Sequence, residues 1–101
     1  MSSRHKGRKR ALDILYAADL RRVELTDVLD AERARINDHP DQRPAFDFAS
    51  ELVEAVISHR EAIDDAISRA ATDWPLSRMP IVDRSVLRLA TAELLALPDT
   101  P

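Results

Sequence analysis

A single glycine in 101 residues, Gly7, is the tightest constraint on this chain. Few backbone positions can then be of the kind that only glycine tolerates. Alanine, leucine and arginine are plentiful in its place, and all three are good helix formers. The reading is an all-α fold, a bundle of about four to five helices in one domain over residues 1–101. Apolar residues make up 45% and charged residues 33%, which argues against disorder. A chain of this length buries roughly two-thirds of the surface its unfolded form exposes, enough for one modest core.

Spacing and breakers divide the chain. Residues 1–10 read as a basic arm and residues 11–72 as the first helices. The first helix is expected from near Gly7 to about Arg22, with Leu12, Leu15 and Ala18 at helical spacing. Thr26 or Asp27 is a candidate cap for a second helix reaching Asn37, before a loop at Asp38-His39-Pro40-Asp41. From Pro44, which suits a first helical turn, Ala49, Leu52, Val56, Ile63, Ala66 and Ala70 keep one phase. That phase predicts one continuous helix to about Thr72, although Ser58 and Glu61 have capping-box spacing within it. Trp74-Pro75 to Met79-Pro80 is a connector, with Trp74 expected as a partly buried core anchor. Residues 80–97 form the last helix, apolar on most of its circumference apart from Arg84, Arg88 and Thr91. Such a helix is expected at the centre of the bundle.

The net charge of −3 conceals an asymmetry. Residues 1–22 carry seven Lys/Arg against two Asp, and the remainder eight Arg against sixteen Asp/Glu. A basic arm on an acidic body attracts a polyanion to one edge only. Within Arg4-His5-Lys6-Gly7-Arg8-Lys9-Arg10, five of seven residues are Lys or Arg, the composition of a salt-dependent nucleic-acid contact. Tyr16, two turns beyond Lys9, offers a ring on which a base could stack. The competing reading is a solvated, frayed terminus. With few acidic neighbours in sequence, the arm's charges are expected to stay out of internal ion pairs and to surround the helix start, a geometry suited to a flexible single strand.

Other chemistry finds no motif. His5, His39 and His59 have no ligand spacing, and Asp41, Asp47, Asp64 and Asp65 read as solvated, so no metal site is expected. There is no cysteine, no phosphate-binding loop, no dinucleotide fingerprint and no nucleophile elbow, and so no catalytic residue or cofactor is assigned. No apolar run suits a membrane span or a signal peptide, which makes a cytoplasmic protein the expectation. Asp83 and Arg84 fall just inside the last helix, where an acidic residue suits the dipole. Arg78 and Glu93 read as members of internal ion pairs.

In order, these features resemble the NusB family. The arm Arg4–Arg10 leading into Ala11-Leu12-Asp13-Ile14-Leu15-Tyr16 looks like the family's opening. Phe48-Ala49-Ser50-Glu51-Leu52-Val53-Glu54-Ala55-Val56 is similar to its third-helix entry, and the run Trp74–Leu94 is the most specific match. Ala55 stands where the family often has glycine, and Ala92 where an aromatic commonly precedes the glutamate. The family normally continues beyond the Leu97-Pro98 loop, so relative to that pattern the chain looks C-terminally truncated, with the last helices absent.

The resemblance implies a non-catalytic RNA-binding factor in transcription antitermination. Its partners would be a single-stranded boxA-type element of ribosomal RNA leaders, the ribosomal protein NusE and the RNA polymerase antitermination complex. Carried over by position, Arg4, Lys6, Arg8, Lys9, Arg10 and Tyr16 would meet RNA, and Asp83 and Arg84 would face the protein partner. The alternative is the NusB-like RNA-binding domain of a ribosomal RNA cytosine methyltransferase.

Overall fold

The computed structural model describes residues 2–97 and is helical throughout, with no strand among those residues. It contains α1 (Ser3–Arg21), α2 (Leu25–Ile36), α3 (Arg43–Ser58), α4 (Arg60–Ala70) and α5 (Ile81–Ala96). Short 3-10 turns at Pro40–Gln42 and Leu76–Arg78 precede α3 and α5. Among the described residues, no helix is long and apolar enough to cross a membrane.

Helix α1 begins earlier than expected and takes in nearly the whole basic arm. Ser2 caps it, its Oγ accepting the His5 amide at 3.1 Å. Four cationic side chains in the first two turns oppose the helix dipole. Packing outweighs that cost, because Gly7 and Ala11 are buried against α3 and the Arg4 and Arg8 guanidiniums lie 5.4 and 5.5 Å from the centre of the Phe48 ring. The far end closes on Arg22, whose left-handed backbone (φ 56°) lets its amide and that of Val23 bond the Ala18 carbonyl.

Helix α2 starts after an extended Glu24 with no side-chain cap, so neither Thr26 nor Asp27 performs the expected role. It buries Leu25, Leu29 and Ile36. Pro44 sits in the first turn of α3 as expected.

The centre of the bundle is α3, which touches all four other helices. Phe46, Leu52, Val53 and Val56 are 0–1% exposed. Each such side chain contributes about 1.5–3 kcal/mol by leaving water, so Phe46→Ala would remove a large part of the core's stability.

Two expectations are corrected here. The continuous helix from Pro44 to Thr72 is broken at His59 (φ −117°, ψ 21°), which separates α3 from α4. The break is slight: the His59 amide still bonds Ala55 and the His59 carbonyl accepts from Ile63, so the apolar phase carries on to the buried Ile63, but beyond it Ile67 is the buried residue while Ala66 is half-buried and Ala70 exposed. No side-chain cap forms at the start of α4, so the Ser58–Glu61 spacing is not a capping box.

Helix α5 is the second correction, since it flanks the bundle. It meets α1, α3 and α4 through a face whose buried residues are Ser85, Leu89 and Ala92, while Val82, Val86, Leu94 and Leu95 remain 44–77% exposed. Apolar character on every side shows what a helix could bury, and only one side has neighbours among the described residues. Trp74 is likewise outside the core at 43% exposed; Met79, at the end of the connector, is buried.

Candidate nucleic-acid interface

Helix α1 presents three faces with different duties. Gly7, Ala11, Ile14, Leu15 and Ala18 are buried against the bundle. Toward α5, Arg8 meets Glu93: Arg8 Nε donates at 2.9 Å to one carboxylate oxygen and Nη2 at 2.7 Å to the other. Toward α2 and the following turn, Arg10 Nη2 donates to Gln42 at 2.8 Å, and its guanidinium lies 3.6 Å from Glu32. The expectation that the arm's charges avoid internal ion pairs is therefore corrected for Arg8 and Arg10. Their anionic partners come from α5 and α2, far away in sequence, and the hydrogen bond from Arg8 to Glu93 holds the guanidinium pKa above its ordinary value.

The third face is open. Lys6, Lys9, Asp13, Tyr16 and Leu20 recur at i, i+3, i+7, i+10 and i+14, and all five are exposed, Tyr16 by 37%. Lys6 and Lys9 have no ion pair among the described residues. Two ammonium groups, the Asp13 carboxylate and a phenol ring thus share one accessible stripe, while Arg4, two residues before Lys6, lies on the far side of the helix over Phe48. Of the arm's cations, Lys6 and Lys9 share this line, where the sequence alone placed the charges all around the helix start. This stripe can offer point charges to phosphates and an aromatic edge to a base.

At the other end of the α1–α5 seam the polarity is reversed. Arg84 on α5 donates to both Asp19 oxygens on α1, at 2.6 and 3.0 Å, and to the Leu76 and Met79 carbonyls at 3.3 Å. Asp19 is held below the usual carboxylate range, first by the Arg84 hydrogen bonds and then by the charges of Arg84, Arg88 and Arg60, against the opposing effect of burial. Arg88 bonds Asp64 at 2.9 Å, so Asp64, expected in solvent, is an inter-helix partner. Arg84 is thus engaged in fastening the connector and α5 to α1, whereas Asp83 next to it is exposed in the first turn of α5. Glu93, expected in an ion pair, has Arg8; Arg78 has no ion pair among the described residues.

Comparison with known proteins places this geometry. The model of the NusB family matches residues 5–101. The transcription antitermination protein NusB of Clavibacter michiganensis is 41% identical over 101 residues, all of this chain and 74% of that protein. The protein of the same name from Acidothermus cellulolyticus is 45% identical over 101 residues, again all of this chain and 66% of the relative. A solution structure of NusB from Aquifex aeolicus superposes with a TM-score of 0.73 at 30% identity, covering 96% of this chain and 64% of that one. The chain therefore spans roughly two-thirds to three-quarters of the length of these relatives. A family match over nearly every residue, relatives above 40% identity and a shared helical arrangement lead to one conclusion: the chain belongs to the NusB family.

Proposed function

We propose that the chain binds a single-stranded RNA of boxA type, together with the ribosomal protein NusE, as part of a cytoplasmic RNA polymerase antitermination complex. The observation that carries this reading is the open stripe of α1, where Lys6, Lys9 and Tyr16 line up and the two lysines have no ion pair among the described residues. The names of the relatives, transcription antitermination proteins, support the process. In this role Lys6 and Lys9 bind backbone phosphates, and Arg4, on another face of the first turn, adds its charge to the helix start. Tyr16 stacks on a base. Exposed Asp83 at the head of α5 meets the protein partner, and Arg84 keeps that helix start in place.

The test is RNA binding across a salt series. Replacing both Lys6 and Lys9 with Ala should flatten the logarithmic salt dependence by about 1.4, roughly 0.7 for each phosphate lost from a single strand. Tyr16→Ala should weaken binding by about 1–3 kcal/mol and leave the salt dependence alone. Asp83→Lys should weaken NusE binding with helix content unchanged. Unaltered RNA affinity and salt dependence in the double lysine variant would defeat the reading.

A further inference from the structure

Glu93 sits among the arm's cations. A groove of about 690 Å³ between α1 and α5 is lined by His5, Arg8, Lys9 and Glu93 above an apolar floor that includes Leu12 and Leu89. Among the described residues its one carboxylate comes from a helix 85 residues away and takes the Arg8 fork bidentately. The Arg8 guanidinium lies over Phe48 on one side, so the fork is held in one orientation. A carboxylate and a phosphate are alternative acceptors for the same pair of N–H donors. The Glu93 side chain is 20% exposed, so its charge is close enough to solvent to be felt by a polyanion on α1.

We propose that Glu93 is an internal counter-anion that occupies, at Arg8, the place an RNA phosphate would take, and so sets the affinity of the arm below what its cations would support. The inference rests on the RNA-binding reading above and specifies its regulation. RNA arriving along the Lys6–Tyr16 stripe meets an arm in which Arg8 is already neutralised. Recruiting Arg8 would strand Glu93 beside the phosphate chain, so the exchange gains little. The groove thereby limits how strongly the arm holds RNA of any sequence and leaves discrimination to contacts with bases.

The experiment measures binding of a fluorescently labelled single-stranded RNA oligonucleotide across a salt series, with circular dichroism as a folding control. Glu93→Gln should steepen the logarithmic salt dependence by about 0.7, one added phosphate contact, equivalent to about fivefold tighter binding at 0.1 M salt. Adding Arg8→Ala to that variant should abolish the gain. If Glu93→Gln loses helix content, nitrogen-resolved NMR of the wild-type side chains carries the test. RNA should then shift the Lys9 and Tyr16 signals and leave the Arg8 Nε–H where it is. A folded Glu93→Gln protein with unchanged or weaker binding overturns the inference, as does an Arg8 Nε–H signal that moves with that of Lys9. If Lys6 and Lys9 behave as expected and Glu93→Gln is silent, this inference alone falls. No salt-dependent binding by the wild type removes both.

Discussion

Gly7 is the residue where α1 and α3 come closest, and replacing it with alanine measures how close. A Cβ built there would lie 2.9 Å from the Ala45 carbonyl oxygen, 2.8 Å from Phe48 Cδ2 and 3.1 Å from Phe48 Cβ. In an unhindered helix interior, Gly→Ala stabilises by about 1 kcal/mol through propensity. Here two of the three neighbours belong to the α3 backbone or sit next to it, so turning the Phe48 ring cannot clear the space. The helices must separate by several tenths of an ångström, and overpacking of this kind costs about 1–3 kcal/mol. The net expectation for Gly7→Ala is a loss of about 1 kcal/mol, a fall in Tm of about 4–8 °C for a domain of this size. Phe48 also carries the Arg4 and Arg8 guanidiniums, so amide exchange should rise in the first turns of α1 together with the melting change. In a Phe48→Leu background the penalty should persist, because the Ala45 carbonyl remains. Thermal unfolding followed by circular dichroism decides the matter. A rise in Tm of the size propensity alone provides would refute the close approach.

Other sites offer independent checks. Arg22 adopts a left-handed backbone that disfavours side chains with a Cβ, so Arg22→Gly should stabilise by about 0.5–1 kcal/mol and raise Tm by a few degrees; a fall would show that its side chain supports the turn. Arg84→Met removes the two Asp19 hydrogen bonds and those to the Leu76 and Met79 carbonyls, leaving Asp19 with Arg88 at 3.6 Å and the Leu76 carbonyl with the Met79 amide, and should cost about 1–3 kcal/mol at neutral pH. Because Asp19 titrates lower in the folded than in the unfolded state, its contribution is present above its unfolded value near pH 4 and lost as pH falls through its folded one. The melting gap between wild type and Arg84→Met should therefore narrow below about pH 4, and a constant gap would deny the pairing its role. The exposed Val86, Ala90 and Leu94 face predicts binding of an apolar dye and concentration-dependent self-association of this 101-residue chain; a monodisperse, dye-silent monomer would count against it.

The all-helical class was readable from the one glycine and the helix formers, and the proline-marked turns from Pro40, Pro44 and Pro80. What escaped sequence reasoning has specific causes. The break at His59 involves one residue and leaves the hydrogen-bond ladder nearly intact, so the apolar phase that signals a helix runs straight across it. The flanking position of α5 was hidden because composition reports what a helix can bury and not what lies beside it. In the arm, the count of cations was visible but their partners were not. Glu93 lies 85 residues from Arg8 and Gln42 lies 32 from Arg10, so no local pattern links them. Gly7 stood out as a rarity, yet only the facing Ala45 and Phe48 show why a side chain is excluded there.

The two bidentate pairs along α1 and α5 have a geometric consequence. One has its arginine on α1 and the other on α5, and they fall in opposite order along the two helices, so these run antiparallel. Suppose α5 slid by one turn along α1. In one direction Glu93 would arrive at Arg4, but Arg84 would face Leu15; in the other, Glu93 would face Leu12 and Arg84 would face Val23. Neither displacement satisfies both pairs, and each leaves a charge against an apolar neighbour. The pairs therefore act as a vernier that admits a single translational setting. The helix bearing Lys6, Lys9 and Tyr16 and the helix bearing Asp83 are thereby held at one fixed offset, so that two surfaces proposed to meet different partners keep a constant separation.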